Sequence, residues 1–250
     1  MPKANLTKSD KRLIRELVRH YLENKDDLET FLRGLVGQVL GSKALRNHFH
    51  SIKSRMKDAE HLRDKLERKI LESRKSHKHF PITPKNLFLR INDLAGLRIL
   101  HLHTQQAEEI DKGLQALFKE EVYTVLEGPT ARTWDDESRT YFKSLNIKTK
   151  KSPSMYTSVH YVIKPKKVTK YTCEIQVRTL MEEVWGEVDH ALNYPHKTRS
   201  LACREQIATL ARSTSAATRL VDSIFRSHAD YQNSLQKKRR KPSKRRANKK

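Results

Sequence analysis

Apolar residues recur at helical spacing through the first forty positions: Leu13, Leu17 and Tyr21, then Leu28, Leu32 and Leu35, with a break near Asn24-Lys25-Asp26. The spacing predicts helix over 9–40, with Ser9 as its N-cap. A second helical pattern covers 43–75 and turns Ile52, Met56, Leu62, Leu66 and Ile70 toward a core. A basic, proline-punctuated loop follows over 76–84. The rhythm then changes. Strands are predicted over 97–103 and 122–127, and helices over 107–119 and 134–145. Residues 156–164 and 171–178 alternate polar and apolar, the period of half-buried strands, with a connection short enough for a hairpin. Helices return over 180–192 and 201–235. Helices around a small mixed β-sheet make the fold class α+β. The divisions are a helical extension over 1–42, a central unit over 43–195, a second helical extension over 196–236 and a disordered basic tail over 237–250.

No apolar run approaches the ~20 residues that cross a bilayer. The first residues lack the apolar stretch of a secretory signal. Cys173 and Cys203 make neither a disulfide framework nor a Cys-x-x-Cys metal pair. A cytoplasmic protein without a membrane partner is expected. Charge narrows the partners further. The formal net charge is +23, and 237–250 supplies ten Lys/Arg and no acid. A chain this basic attracts polyanions: nucleotides, RNA or ribosomes. The tail reads equally as a solvated extension or as an unspecific RNA contact.

Candidate chemistry lies on the strands. Alternation leaves Cys173, Ile175 and Val177 on one face and Glu174, Gln176 and Arg178 on the other. The preceding strand offers Tyr156, Ser158 and His160 on one face, so hairpin pairing makes the two polar sets neighbours. On the basic segment 54–69, Lys57, His61 and Lys65 step by four and would share a helical face, with Asp58 as a possible N-cap. Cations at a helix start suit polyphosphate. Asp93, at the edge of a strand, has the chemistry of a Mg²⁺ ligand. Taken singly, each cluster also fits a blander role: a solvent face, a helix laced with ion pairs, a turn-capping aspartate.

Taken in order, the set is more specific: Arg55-x-Lys57, Asp93-x-x-Gly96-x-Arg98, Tyr156-x-Ser158-x-His160, Glu174-Ile175-Gln176-Val177-Arg178-Thr179, then Trp185 and His190. Over about 45–195 this resembles the RelA/SpoT synthetase domain, and in length the chain resembles the small alarmone synthetases of that family. The resemblance implies a nucleotidyltransferase-like fold and Mg²⁺-dependent transfer of the β,γ-pyrophosphate of ATP to the ribose 3′-hydroxyl of GTP or GDP, making (p)ppGpp. It implies ATP binding by Arg55, Lys57, His61, Lys65 and Arg98, with the two arginines flanking adenine and the lysines on phosphates. It implies metal coordination by Asp93 and Glu174, with Glu174 also helping to deprotonate the attacking hydroxyl. Acceptor binding would fall to Tyr156, Ser158, His160, Gln176, Arg178 and His190, with Tyr156 stacking on the base. Two positions depart from the family pattern. Met155 stands where Gly usually precedes the Tyr, which predicts a different loop backbone, and His61 stands where Ser is common. Two further functions are therefore carried: pyrophosphorylation of the 3′-terminal adenosine of a tRNA, as in toxic members of the family, and non-catalytic binding of RNA or ribosomes. An oligomer is compatible with the family.

Overall fold

The computed structural model describes residues 6–120, 123–167, 170–194 and 197–240. The first helical stretch is two helices, α1 (Lys8–Glu23) and α2 (Lys25–Gly41), parted at Asn24. The cap of α1 is Thr7, not Ser9. Thr7 Oγ1 accepts from the Asp10 amide and the Asp10 carboxylate accepts from the Thr7 amide at 2.7 Å, a reciprocal box that satisfies two orphan donors. Leu17, Tyr21, Leu28 and Leu35 are fully buried in the same apolar core as the sheet.

The helix expected over 43–75 is corrected. Residues 51–56 form an edge strand, β1 (Ser51–Met56), and only α3 (Ala59–Lys75) is helical. The reason is local. Ile52 and Met56 alternate with Lys53 and Arg55 at period two, and Asp58 caps α3 by accepting from the amides of Glu60 and His61 at 2.8 and 3.3 Å. Lys57 therefore precedes α3 and does not share a helical face with His61 and Lys65.

The remaining elements are β2 (Ala95–His101), α5 (Gln106–Glu120), β3 (Tyr123–Thr133), α6 (Asp136–Ser144), β4 (Lys148–Lys151), β5 (Ser158–Pro165), β6 (Cys173–Thr179), α7 (Leu180–Asn193) and α8 (Leu201–Arg240), with a 3-10 turn, Pro84–Asn86, and a short α4 (Leu87–Arg90) before β2. The strand expected over 122–127 runs to Thr133 through two register shifts around Glu127, while Val122 lies outside the described residues. At the bulge Gly128 has φ +99°, and a Cβ there would lie 2.3 Å from the His160 carbonyl oxygen, so only glycine fits. β4 had no sequence signal, because its Lys-Thr-Lys-Lys lacks apolar alternation. The tail expected to be disordered from 237 is helical to Arg240, and 241–250 lie outside the described residues. Among the described residues no helix is long and apolar enough to cross a membrane.

The six strands form one mixed sheet in the order β1-β2-β6-β5-β3-β4. Registers explain how distant residues meet. One rung crosses all six strands: Lys53, Arg98, Gln176, His160, Thr130 and Lys148. The adjoining rung carries Arg55, Gly96, Glu174, Val162 and Glu127. Paired residues share a face, so polar groups of all six strands line one side. The other side carries Leu97, Ile99, Val159, Tyr161, Ile163, Ile175 and Val177, buried under α2 and α5. Tyr161 satisfies its hydroxyl there by donating to Asp111 of α5 at 2.7 Å. At one end of the polar side α7 closes over β2 and β6, and α8 packs on α7 through Trp185, Ile207 and Ala211.

Candidate active site

Two adjoining clefts open on the polar face. The first, of about 330 Å³, lies between β1, β2, β6 and α7 and is lined by Arg55, Asp93, Arg98, Glu174, Gln176 and His190 among others. The second, of about 510 Å³, extends over β5, β3 and β4, lined by Arg55, Lys65, Lys69, Arg90, Asp93, Arg132, Lys150, His160, Glu174 and Gln176 among others. Arg55, Asp93, Glu174 and Gln176 border both. The two carboxylates thus face common space although 81 residues (174 − 93) part them in the chain.

Asp93 stands two residues before β2. Its oxygens accept from Lys57 Nζ at 3.0 Å and Lys65 Nζ at 2.7 Å. Burial would raise its pKa, but the Lys65 and Lys57 ammonium groups prevail and pull it down to about 2. Lys57 is itself lowered by burial, against the pull of Asp93. Glu174 sits inside β6. It meets His160 Nδ1 at 3.0 Å and accepts from Gln176 Nε2 at 2.8 Å. Burial pushes Glu174 up, its His160 contact outweighs that, and the nearby Asp93 charge acts upward, so the carboxyl stays below the ordinary range. Both acids are therefore anionic and hydrogen-bonded, and both line the two clefts. The other nitrogen of His160, Nε2, is buried without a partner in the second cleft.

Tyr156 reaches across from the loop before β5. Its hydroxyl donates to Gln176 Oε1 at 3.1 Å, and its ring lies 5.7 Å from His160, 6.3 Å from Trp185 and 5.5 Å from the Arg178 guanidinium. The loop keeps a glycine-type backbone despite its Met. Met155 has φ +56°, the left-handed region, and packs with Tyr156 against the Trp185 cluster. The positive φ at Met155 carries local strain of about 1 kcal/mol, offset by packing.

Three expected acceptor residues, Tyr156, Ser158 and Arg178, do not line these clefts. Ser158 is buried and donates to the Val177 carbonyl at 3.2 Å. Arg178 is only 4% exposed, paired with Glu183 and pressed against Gly186 of α7, where an added Cβ would lie 2.6 Å from its Nη1. Both border a separate cavity under α6 and α8. His61 and His190 stand on α3 and α7, their rings 6.1 Å apart, with Tyr194 4.9 Å from His61 and stacked on His190 at 4.6 Å. Burial, with Arg55 nearby, lowers the His190 pKa.

Sequence reasoning missed Glu183 and Glu187 on α7. Glu183 accepts from Lys53 at 2.9 Å and Arg98 at 3.1 Å and also pairs with Arg178, and Glu187 pairs with Arg98. Burial opposes this charge, yet the cations draw Glu183 down to about 2. It also missed Lys69, Arg90, Arg132 and Lys150. Lys69 follows Lys65 by one helical turn, and Arg132 and Lys150 pair in register on β3 and β4, signals visible only once β4 is recognised.

A family profile described as a region found in RelA / SpoT proteins matches residues 54–199. The chain belongs to the RelA/SpoT family. The match spans the site from Ser54 within β1 to the end of α7. Solved structures of similar fold include small alarmone synthetase 1 from Bacillus subtilis, at 18% identity and a TM-score of 0.56, covering 85% of this chain and 97% of that one. The same protein bound to its product pppGpp matches with 18% identity and a TM-score of 0.54, over 84% of this chain and 96% of that one. A GTP pyrophosphokinase family protein from Streptococcus pneumoniae gives 18% identity and a TM-score of 0.55, over 91% of this chain and 98% of that one. Among curated proteins no match is found.

Proposed function

We propose that this RelA/SpoT chain is a Mg²⁺-dependent pyrophosphokinase that moves the β,γ-pyrophosphate of ATP to the 3′-hydroxyl of GTP or GDP. The observation that carries the reading is the shared cleft of Asp93 and Glu174, two anionic carboxylates of different sequence origin, beside Lys57 and Lys65. The fold it shares with a synthetase bound to pppGpp is consistent with it.

ATP fits the β1–β2 side. Arg55 and Arg98 border the first cleft as planar cations suited to a purine face. Lys57 and Lys65 are held on Asp93 and would turn to the polyphosphate when it arrives. The donor set fits Mg²⁺, which favours one or two carboxylates with phosphate oxygens, so Asp93 and Glu174 would hold it. Bound there, the ion would neutralise charge on the transferring phosphates. Glu174, buried and anionic, accepts the proton of the 3′-hydroxyl. His160 donates through Nδ1 to Glu174, fixing its orientation. Tyr156, backed by Trp185 and Arg178, offers a face to the acceptor base. Ser158 and Arg178 act by positioning, one tying β5 to β6 and the other supporting Tyr156. His190 and His61 wall the ATP side. A row of cations, Lys69, Arg90, Arg132 and Lys150, suits a 5′-polyphosphate.

That same row equally suits an RNA backbone, which keeps the 3′-terminal adenosine of tRNA as a second acceptor. One assay separates the readings. The pure protein is incubated with γ-labelled ATP and Mg²⁺ and given GDP, GTP or deacylated tRNA separately. Label on guanine nucleotide is the expected result. Label on tRNA alone would establish the second acceptor, and no transfer to either would leave a binding protein.

A further inference from the structure

A separate cavity, of about 170 Å³, lies at the carboxyl ends of β2 and β6, under α6 and α8. Among the described residues it shares no lining side chain with either cleft. Its walls hold polar groups that the fold leaves short of partners. His101, the last residue of β2, is 3% exposed. Its Nδ1 donates to the His103 carbonyl at 3.0 Å, and its Nε2 has no partner among the described residues. Burial holds this ring down at about 4, so it is neutral and Nε2 is an acceptor. Glu182, 6% exposed in the first turn of α7, has no ion-pair partner among the described residues, and only the Thr157 amide favours its charge by a hydrogen bond. Strand register brings the two together. His101 pairs with Thr179, whose hydroxyl accepts from the Glu182 amide at 3.2 Å. Across the cavity Ser215 of α8 is also 6% exposed, and its hydroxyl has no partner among the described residues.

We propose that this cavity binds a small organic cation, a primary ammonium on an apolar body about the size of benzene. The unfilled groups decide the head. His101 Nε2, the Glu182 carboxylate and the Ser215 hydroxyl are all acceptors, and an ammonium brings a donor for each. The cations of the wall are committed elsewhere: Arg178 to Glu183, and Arg219 to Asp135 at 3.3 Å and Glu137 at 3.4 Å. Asp222, which accepts from the Thr104 amide at 2.6 Å, adds negative charge, while Arg226 stands exposed at the rim. An anion would therefore meet carboxylates inside. Burial without a cation raises Glu182 to about 7, and a bound ammonium supplies the partner that lets it ionise. The apolar wall decides the body. Tyr141, Phe142 and Val177 provide it, and an apolar cavity of about 150 Å³ holds benzene. The cavity stands apart from both clefts, so the inference does not rest on the pyrophosphokinase reading.

The test titrates benzylamine, benzyl alcohol and benzoate, ligands of like shape, into the full chain by calorimetry at neutral pH, without ATP or acceptor. Benzylamine should bind saturably at one site, benzyl alcohol about tenfold more weakly, and benzoate not measurably. Glu182→Gln keeps the size of the side chain and removes its charge. It should weaken benzylamine by about tenfold or more, the effect of one charge-assisted hydrogen bond, and leave benzyl alcohol within a few-fold. This variant should fold no less stably than the wild type, so its loss of affinity reports the contact. Ser215→Leu fills the cavity and should abolish binding of both ligands. Absence of saturable benzylamine binding, tighter binding of benzoate, or equal benzylamine affinity in the wild type and Glu182→Gln would overturn the proposal, as would undiminished binding by a folded Ser215→Leu protein.

Discussion

The two halves of the polar face carry the same kinds of side chain and use them in opposite ways. On the β1–β2 side, four cations are committed to acids: Lys57 and Lys65 to Asp93, Lys53 and Arg98 to Glu183, with Glu187 added. On the β3–β4 side, Lys69, Arg90, Arg132 and Lys150 line the cleft, and among the described residues none has an ion-pair partner. The first half is neutralised in advance, so a ligand there must exchange one partner for another, as a metal–nucleotide complex does by bringing both charges. The second half is unsaturated and attracts an anion outright. Asp93 and Glu174 lie where the halves meet.

The largest effect that would sharpen this contrast is at the junction. Glu174→Gln keeps shape and one of the two hydrogen bonds accepted from His160 and Gln176 but removes the proposed base. Transfer should fall by about 10³-fold or more while ATP binds within a few-fold of wild type, read by single-turnover assay and calorimetry. Turnover like the wild type would take Glu174 out of its role. Next comes the open half. Arg132→Ala with Lys150→Ala should raise KM for the acceptor by about tenfold or more, each charge-assisted contact being worth roughly 1 kcal/mol, with KM for ATP unchanged. Equal loss for both substrates would erase the division between the halves.

Two buried carboxylates test the electrostatics with opposite signs. Glu182, on α7, is raised by burial to about 7, despite Arg178 nearby. Its folded form resists ionisation, so stability is full below about pH 4.5 and declines as pH rises toward 7. Glu182→Gln should therefore stabilise the fold at pH 8 by up to about 3 kcal/mol and change little at pH 4, measured by urea unfolding. Asp93 runs the other way. Held at about 2 by two lysines, it contributes stability above about pH 4 that is lost as pH falls toward 2. Asp93→Asn should remove about 2 kcal/mol of that acid dependence. A Glu182→Gln variant that is equally stabilised at both pH values would assign its effect to packing. The smallest effect belongs to the loop. Met155→Gly relieves a positive φ but loses contact with the Trp185 cluster, so stability should move by less than about 1 kcal/mol in either direction.

Much of this was legible in the sequence, for reasons that differ by residue. Glu174, Gln176 and His160 were found because strand alternation and a short hairpin connection make them neighbours by geometry alone. β1 was hidden because four helix-compatible residues flank Ile52 and Met56 and the neighbouring α3 pattern runs straight up to it. The site's cations then appeared to lie on one helical face when they converge from a strand end and a helix. Arg178 and Ser158 were misdirected because alternation gives the face of a sheet but not the helix that covers it. Glu183 and Glu187 could not be found at all, since their meaning comes from α7 crossing Lys53 and Arg98 in space.

The most direct test concerns the proposal that Asp93 and Glu174 share one divalent ion. Mn²⁺ binding is measured by electron paramagnetic resonance in the presence of a non-hydrolysable ATP analogue, for the wild type, Asp93→Asn, Glu174→Gln and the double variant. Each single variant should weaken Mn²⁺ by about tenfold or more, and the double variant should be little worse than either, since one site needs both ligands. Wild-type affinity in either single variant would contradict a shared ion.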